Sequence, residues 1–245
     1  MGRLESLFRK NNGNLIYKWS HYFDIYERFF ERYVDQEVTI LEIGVYRGGS
    51  LKMWKEYFGS KAQIYGVDIN PECKKFEEER IQIIIGSQED RSFLNKLKAS
   101  IPKVDIIIDD GGHTMHQQIV TFEEMFDHIK DNGIYLCEDT HTSYWHTYGG
   151  GFRNPDSFIE YSKDLVDSLT GWHYGKVNKY TKSIKSINFF DSIVVFEKAS
   201  INEPEAFEIG MNQNVKKSAI NNDKLNHQFY LKTVLKRIRK AFILK

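Results

Sequence analysis

The hydrophobic positions between residues 38 and 139 form short runs that alternate with amphipathic stretches. Five runs are apolar enough to predict buried strands: VTILEIGV (38–45), AQIYGVDIN (62–70), IQIIIGSQED (81–90), VDIIIDD (104–110) and GIYLCED (133–139). The stretches between them predict helices at 50–58, 71–80, 91–100 and 116–129. This alternation indicates a parallel sheet with helices on both faces, an α/β fold.

The pattern changes on either side of this region. Aromatic residues at helical spacing over 17–34 predict a helix that either packs on the core or forms a lid over a pocket. A helix is predicted at 155–169. Two β-rich runs joined by Asp-Ser within 186–198 predict a terminal antiparallel hairpin. The chain is therefore divided into a helical lid segment (1–36), a main domain (37–200) and a C-terminal extension (201–245).

The end of the extension, LKTVLKRIRKAFILK (231–245), predicts a basic amphipathic helix. Such a helix can dock on the body of the protein or on a second subunit, as in a homo-oligomer. It can also lie on an anionic membrane surface. The sequence leaves these alternatives open.

Charge and cysteine content narrow the function classes. The 34 basic residues balance the 34 acidic ones, so the net charge of the chain gives no electrostatic attraction to nucleic acid. The two cysteines form no CxxC pair, which favours a reducing compartment. The N-terminus has no signal-peptide pattern, and no apolar run reaches the ~18 residues of a spanning helix. We expect a cytoplasmic protein.

The first strand is followed by a glycine loop that is typical of nucleoside-cofactor sites. Glu42, Gly44, Gly48 and Ser50 lie in LEIGVYRGGS, where ligands approach the carboxyl ends of strands. Asp68 ends the second strand, where it can accept ribose hydroxyls, and Gln88 follows the third, where it can flank an adenine. The spacing departs from G-x-G-x-x-G, which argues against a dehydrogenase. In this order the motifs resemble class I S-adenosylmethionine-dependent methyltransferases, a Rossmann-like family with a seven-stranded, mostly parallel sheet.

The next two strands end in a cluster of acids. Asp110 follows the fourth strand, and Glu138 and Asp139 end the fifth. Because neighbouring strands lie ~4.8 Å apart, these carboxylates are expected to meet and to hold Mg²⁺, Ca²⁺ or Mn²⁺. Residues alternate between faces, so Asp109 is expected to face the cofactor rather than the metal.

His113 follows Asp110 after two glycines and can turn back towards the acids. Histidine titrates near neutral pH and suits a general base. A sugar hydroxyl becomes a nucleophile when a divalent ion lowers its pKa and a base removes its proton. His141 and Tyr144, beside the acid pair, are candidate contacts to such an acceptor.

A closer resemblance rests on IDDGGHTMHQQIVTFEEMF, NGIYLCEDTHTSYW and KWSHYFDIYERFF. These stretches are similar to metal-dependent sugar O-methyltransferases of the mycinamicin and macrocin type. The resemblance implies S-adenosylmethionine as methyl donor, Mg²⁺ on Asp110, Glu138 and Asp139, and His113 as base. Gly112 stands where that family has serine.

The function expected from the resemblance is O-methylation of a sugar hydroxyl, on an acceptor that includes nucleotide-linked sugars of surface polysaccharide. A phenolic or macrolide acceptor remains an alternative, because a catechol chelates a metal much as a vicinal diol does. A non-catalytic scaffold that binds the cofactor is the non-enzyme alternative.

Overall fold

The computed structural model describes residues 1–210, of which residues 1–204 form the compact unit that contains the sheet. The centre of this unit is one seven-stranded sheet in the order β3-β2-β1-β4-β5-β7-β6. The strands are β1 (Thr39–Ile43), β2 (Gln63–Asp68), β3 (Ile81–Ile85), β4 (Val104–Asp109), β5 (Ile129–Cys137), β6 (Ile184–Phe190) and β7 (Ile193–Lys198). Strands β1 to β5 pair in parallel, whereas β7 is antiparallel to both β5 and β6. The predicted mixed sheet with a terminal hairpin is confirmed.

The α-helices of the described residues connect and cover these strands. They are α1 (Arg3–Lys10), α2 (Tyr22–Phe30), α3 (Gly49–Phe58), α4 (Arg91–Ser100), α5 (Met115–Met125), α6 (Phe158–Leu169) and α7 (Gly171–Tyr174). Short 3-10 turns include Pro71–Phe76, Phe126–His128, Thr140–Tyr144 and His146–Tyr148. No described helix has the length and apolarity needed to cross a bilayer. The basic helix predicted at 231–245 lies outside the described residues.

Both faces of the sheet are covered, as the continuous apolar strands predict. Along β1, Ile40 joins one buried cluster and Leu41 joins the other, because successive strand residues point to opposite faces. The first cluster includes the buried aromatic face of α2, notably Tyr26 and Phe30. Helix α2 therefore packs on the core, and residues 15–19, which precede it, border a cavity.

One local prediction was wrong, and one helix was missed. The stretch predicted as a helix at 71–80 forms only the 3-10 turn Pro71–Phe76. It ends there because Glu77 leaves the helical region and its carboxylate binds the backbone N–H of Ile83. Helix α1 was not singled out within the N-terminal segment. It has eight residues and is polar on average, and its few apolar residues, Leu4, Leu7 and Phe8, pack on the core.

The register of β4 against β5 sets the position of the acids. Asp109 pairs with Cys137, and the backbone N–H of Glu138 donates to the carbonyl of Asp109 over 2.9 Å. The residues that follow, Asp110 and Asp139, leave their strands at the same edge of the sheet. The expected meeting of acids at this edge is a direct consequence of parallel pairing.

Candidate active site

A cavity of about 540 Å³ lies at the carboxyl ends of β1, β2 and β4. Of the residues predicted to bind the cofactor, Gly44, Asp68 and Gln88 line it. Its wall also includes Asp110 and the two glycines after it. The volume lies within the range of ordinary small-molecule sites, ~300–1,000 Å³.

The glycine loop is shaped for close approach of backbone to backbone. Gly44 has φ +96°, and a Cβ there would lie 2.0 Å from the carbonyl oxygen of Asp110. Gly48 has φ +72°, and a Cβ would meet the ring of Phe76 at 2.6 Å. Only glycine fits these positions without a shift of the neighbouring chain. The loop therefore seats directly against the end of β4.

Asp68 braces this loop as well as lining the cavity. One carboxylate oxygen accepts the backbone N–H groups of Val45 and Tyr46 over 2.9 and 3.0 Å. The other accepts the N–H of Asn70 over 2.8 Å. A second role in ribose binding is compatible with its place in the wall, since a carboxylate has about four lone-pair sites.

Three of the residues predicted to bind the cofactor have side chains that are hydrogen-bonded within the protein: Glu42, Ser50 and Asp109. Glu42 is buried and accepts from Ser50 Oγ over 2.8 Å and Trp54 Nε1 over 3.0 Å. It lines neither this cavity nor the one described next, whereas Ser50 borders the second. Burial is the main influence on Glu42 and raises the pKa of its carboxyl to about 7.

Asp109 is also buried and lines neither cavity. It accepts from Tyr135 Oη over 2.7 Å and from Gln88 Nε2 over 3.0 Å. Gln88 in turn accepts the backbone N–H of Gly112 over 2.7 Å. Burial raises the pKa of Asp109 to about 7. This network fixes the loop after β4, so Asp109 supports the site from behind.

A second cavity of about 330 Å³ adjoins the first. The two share Gly44, Tyr46, Asp110 and Gly111, so a ligand in one would lie beside a ligand in the other. The second cavity is lined on one side by residues 15–19 and Tyr22, and on the other by His113, Glu138 and Asp139. All four residues predicted for metal binding and base catalysis therefore border it.

A lysine lies among the predicted metal ligands. Lys18 Nζ is 2.5 Å from Asp110 Oδ2 and 2.8 Å from both oxygens of Glu138. The Lys18 and Glu138 side chains are only 2% and 1% exposed. Burial alone would lower the pKa of Lys18, but the carboxylates of Asp110, Glu138 and Glu42 outweigh it and raise the pKa above its usual value. The lysine is an ammonium ion.

Glu138 is the counterpart of this ammonium. Burial is the largest influence on its carboxyl and raises the pKa, repulsion from Asp110 adds to that, and Lys18 opposes both. Lys18 Nζ lies 2.8 Å from each oxygen of Glu138. Both oxygens therefore accept a hydrogen bond from the same ammonium, as those of an ionised carboxylate do.

Asp139 and His113 face the remaining oxygen of Asp110. Both have left-handed backbones, with φ +52° at Asp139 and +58° at His113. His113 Nε2 is 3.6 Å from Asp139 Oδ2 and 3.8 Å from Asp110 Oδ1. Tyr22 Oη donates to Asp139 Oδ1 over 2.6 Å. The turn out of β5 thus aims Asp139, but not Glu138, at His113.

These groups form a potential ligand set for a divalent ion. Asp110, His113 and Asp139 each offer one atom, and the three atoms lie within 4.8 Å of one another. Two outward carboxylate oxygens fit a hard cation such as Mg²⁺, which keeps several waters and needs only one or two carboxylates. Glu138, predicted as a third ligand, has both oxygens turned to Lys18.

The two predicted acceptor residues lie outside both cavities. His141 Nδ1 is 3.1 Å from Ser192 Oγ, and its ring packs edge-on against Trp19 at 6.2 Å. Tyr144 is half exposed in the turn Thr140–Tyr144. His141 therefore supports the aromatic rim of the second cavity, whereas the structure does not bring Tyr144 to either wall.

Lys18 was not predicted from the sequence, because its partners lie 92 and 120 residues away and it belongs to no periodic element. A signal was present: KWSHYF is one of the stretches that carry the resemblance. Tyr17 and Trp19, exposed on either side of Lys18, were also missed as lining residues of the second cavity.

The glycine loop and the acid cluster lie in a stretch that is shared with known proteins. Residues 41–140, from β1 to the acid pair, match a family described as a methyltransferase domain. The match covers 100 of the 245 residues and includes the glycine loop and the acids of the cluster. Over this stretch the chain is similar to a methyltransferase domain.

Among curated relatives, this chain is 38% identical over 165 residues to demethylmacrocin O-methyltransferase of Streptomyces fradiae, covering 62% of this chain and 41% of that protein. It is 33% identical to 8-demethyl-8-alpha-L-rhamnosyl tetracenomycin-C 2'-O-methyltransferase of Streptomyces olivaceus, covering 74% of this chain and 51% of that protein. The chain thus spans about half the length of these relatives or less.

Among solved structures, the MycE methyltransferase of the mycinamycin pathway in complex with Mg, SAH and mycinamycin VI is similar to this chain. The TM-score is 0.72 at 30% sequence identity, and the match covers 80% of this chain and 53% of that one. The same enzyme with Mg and SAH alone gives a TM-score of 0.67 at 32% identity, over 75% of this chain and 51% of that one.

Proposed function

We propose that the chain is an S-adenosylmethionine-dependent, Mg²⁺-assisted O-methyltransferase that acts on a sugar hydroxyl. The observation that carries the proposal is the pair of adjoining cavities, which meet at Gly44 and Asp110. The first has the glycine loop and Asp68 of a nucleoside site, and the second has the acids and His113. Relatives whose named substrates carry a rhamnosyl or an olivosyl group support this class of acceptor.

In this proposal the donor occupies the larger cavity and the acceptor the smaller one. The acceptor oxygen attacks the methyl carbon, the carbon–sulfur bond breaks, and its electron pair stays on sulfur to give S-adenosylhomocysteine. His113 takes the hydroxyl proton at Nε2, the atom that faces Asp110 and Asp139. The two carboxylates stabilise the imidazolium that results.

Asp110 and Asp139 would hold the Mg²⁺, each through its outward oxygen. When bound there, the ion lowers the pKa of a coordinated hydroxyl and makes it a better nucleophile. Glu138 stands behind these two ligands, paired with Lys18. The remaining work of the chain is orientation: Tyr22 holds Asp139, and the loop after β4 holds Asp110.

The experiment that tests the function combines calorimetry with a methyl-transfer screen. We expect the purified chain to bind S-adenosylhomocysteine and Mg²⁺, and Asp110→Ala to lose the metal while keeping S-adenosylhomocysteine. His113→Ala should keep both ligands but lose turnover. A chain that binds neither ligand would contradict the proposal.

The acceptor class is tested with the same protein. We expect methyl transfer to glycosides or nucleotide-linked sugars, the latter being acceptors from polysaccharide synthesis, and we expect it to stop when EDTA removes the divalent ion. Catechols and macrolide aglycones serve as comparison acceptors. Transfer confined to catechols would contradict the sugar assignment, and full activity in EDTA would contradict the metal-assisted mechanism.

A further inference from the structure

Lys18 has no role in the reaction as proposed, yet it is the most tightly held cation among the described residues of the site. Its ammonium contacts Asp110 Oδ2 and both oxygens of Glu138 within 2.8 Å, and its side chain is 2% exposed. Burying an ammonium costs several kcal/mol, and so does burying a carboxylate, unless each is paired. Lys18 and Glu138 satisfy this requirement for each other.

The contacts divide the acids into an inner and an outer set. Lys18 takes the inner oxygen of Asp110 and the whole carboxylate of Glu138. The outer oxygens of Asp110 and Asp139, which face His113, are the ones proposed to hold a divalent ion. Asp110 belongs to both sets, with one oxygen on each side. A fixed positive charge therefore lies one carboxylate away from the position where a divalent ion would be held.

We propose that Lys18 is a positioning residue that acts as the built-in counter-ion of the carboxylate cluster and limits how tightly the cluster holds a divalent ion. Three carboxylates without Lys18 carry three negative charges, whereas with Lys18 they carry two, which a divalent ion balances. This inference rests on the proposed function, because it assumes that the outer set binds a metal.

The position of Lys18 in the chain gives the pairing a second effect. Residues 15–19 form no helix or strand, and they line the second cavity. Within this segment, Lys18 makes the side-chain contacts that reach the ends of β4 and β5. The same ion pair thus fixes the carboxylates and holds the acceptor wall against them.

The test compares Lys18→Met with Lys18→Arg, Lys18→Met/Glu138→Gln and Lys55→Met. The last is a matched control, because Lys55 also pairs with a glutamate, Glu78, but at a more exposed site away from the cavities. Each protein is saturated with S-adenosylhomocysteine. Mn²⁺ affinity is measured by electron paramagnetic resonance, and Tm is measured with and without Mn²⁺.

We expect Lys18→Met to bind Mn²⁺ at least about tenfold more tightly than wild type, because a nearby unit charge that opposes the cation is gone. Without metal, its Tm should fall by roughly 10 °C, since the buried carboxylate of Glu138 and the partly exposed one of Asp110 lose their partner. Saturating Mn²⁺ should restore much of this loss. Lys18→Arg, which keeps the charge, and Lys55→Met should both stay within about threefold of the wild-type affinity.

The double variant guards against a simple failure to fold. Lys18→Met/Glu138→Gln removes both charges of the pair, so its Tm without metal should lie well above that of Lys18→Met alone. No recovery in the double variant, or Mn²⁺ affinity in Lys18→Met that is unchanged or weaker, would overturn the inference.

A different result marks failure of the proposed function. If wild type and Lys18→Met both bind no Mn²⁺ while S-adenosylhomocysteine still binds, the metal-assisted mechanism is wrong, and so is the part of the inference that concerns metal affinity. Recovery of Tm in the double variant would then still establish the Lys18–Glu138 pair as the anchor of residues 15–19.

Discussion

At the scale of single residues, His113 combines an unusual backbone with a position between two carboxylates. Its φ of +58° turns the ring back over Asp110 and Asp139. Nε2 is the nitrogen that faces the two carboxylates, whereas Nδ1 is buried and has no hydrogen-bond partner among the described residues. Nε2 is therefore the nitrogen that is placed to accept a proton.

Replacing His113 should therefore affect turnover more than binding. We predict that His113→Ala lowers kcat by about 10²- to 10⁴-fold, the usual contribution of a general base. The dissociation constant of S-adenosylhomocysteine should not change, because His113 lines only the second cavity. Single-turnover kinetics and calorimetry measure the two quantities, and a loss smaller than about fivefold would exclude His113 as the base.

Glu42 gives a second residue-scale prediction, on stability against pH. Burial raises the pKa of its carboxyl from 4.5 to about 7. Folding therefore favours the protonated form. This contribution is complete below about pH 4.5, declines as the pH rises, and is gone above about pH 7, a change of at most about 3 kcal/mol.

Glu42→Gln removes this titration. We expect the variant to lose less stability than wild type between about pH 4.5 and about pH 7.5, apart from a constant offset for the altered hydrogen bonds to Ser50 and Trp54. Urea unfolding at several pH values gives both curves, and groups that titrate elsewhere cancel in their difference. Parallel curves would show that the pKa of Glu42 is the same in the folded and unfolded states.

At the scale of elements, the glycine loop between β1 and α3 depends on contact with the end of β4. The contact is backbone to backbone, from Gly44 to the carbonyl of Asp110. We predict that Gly44→Ala lowers the free energy of unfolding by on the order of 3 kcal/mol, from left-handed strain and overpacking together. It should also weaken S-adenosylhomocysteine binding.

Gly13→Ala is the matched control for this prediction. A Cβ at Gly13 would make only an ordinary contact of 3.5 Å with the side chain of Asn11. The control should therefore change the free energy of unfolding by less than about 0.5 kcal/mol. Equal effects in the two variants, measured by urea denaturation, would mean that the loop relaxes freely and that the close approach is unimportant.

The segment before α2 is the other element that decides function. Trp19 is half exposed at the mouth of the second cavity and packs against His141. We predict that Trp19→Ala raises the KM for the acceptor about tenfold, since loss of an aromatic contact face costs about 1.4 kcal/mol. Affinity for S-adenosylhomocysteine should be unchanged.

A similarly exposed aromatic outside both cavities, Tyr174 in α7, provides the comparison. Tyr174→Ala should leave the KM within about twofold of wild type. Steady-state kinetics with the acceptor found by the screen measure both. If Trp19→Ala leaves KM unchanged, the N-terminal segment does not contact the acceptor.

The elements also show what a sequence can and cannot predict. The acids at the ends of β4 and β5 were predictable because parallel strands bring their carboxyl ends to one edge. The direction of each side chain was not, because Asp139 turns into a left-handed conformation that no local pattern announces. Asp109 and Glu42 illustrate the same limit: both were predicted to bind the cofactor, but their side chains bind inside the protein.

Contacts across long sequence separations account for most of what was missed. Lys18 reaches Asp110 and Glu138 from a segment without regular structure, so neither period nor motif geometry predicts the contact. The hairpin, in contrast, follows from adjacent β-rich runs, and it was predicted. Local sequence patterns determine the helices and strands, and tertiary packing determines which polar side chains remain free to bind a ligand.

At the scale of the whole molecule, a ligand that binds only the folded chain must raise its stability. We predict that S-adenosylhomocysteine at about 100 times its dissociation constant raises the Tm by roughly 5–10 °C, equivalent to about 2.7 kcal/mol. NAD at the same concentration should give no shift, because the glycine loop lacks the dinucleotide spacing. A shift with NAD alone would revive the dehydrogenase alternative.

The two walls of the second cavity have separate origins in the chain. One wall is an irregular stretch, residues 15–19, before α2, and the other is made of strand ends held by the sheet. Substitutions at exposed positions such as Tyr17 can therefore change which acceptor binds in the course of evolution. The reacting groups are held by strands of the core and are less free to change. Lys18 is the exception within the stretch, because it joins the two walls through Asp110 and Glu138. Directed evolution of residues 15–19 should therefore vary exposed positions such as Tyr17 and Trp19 and keep Lys18.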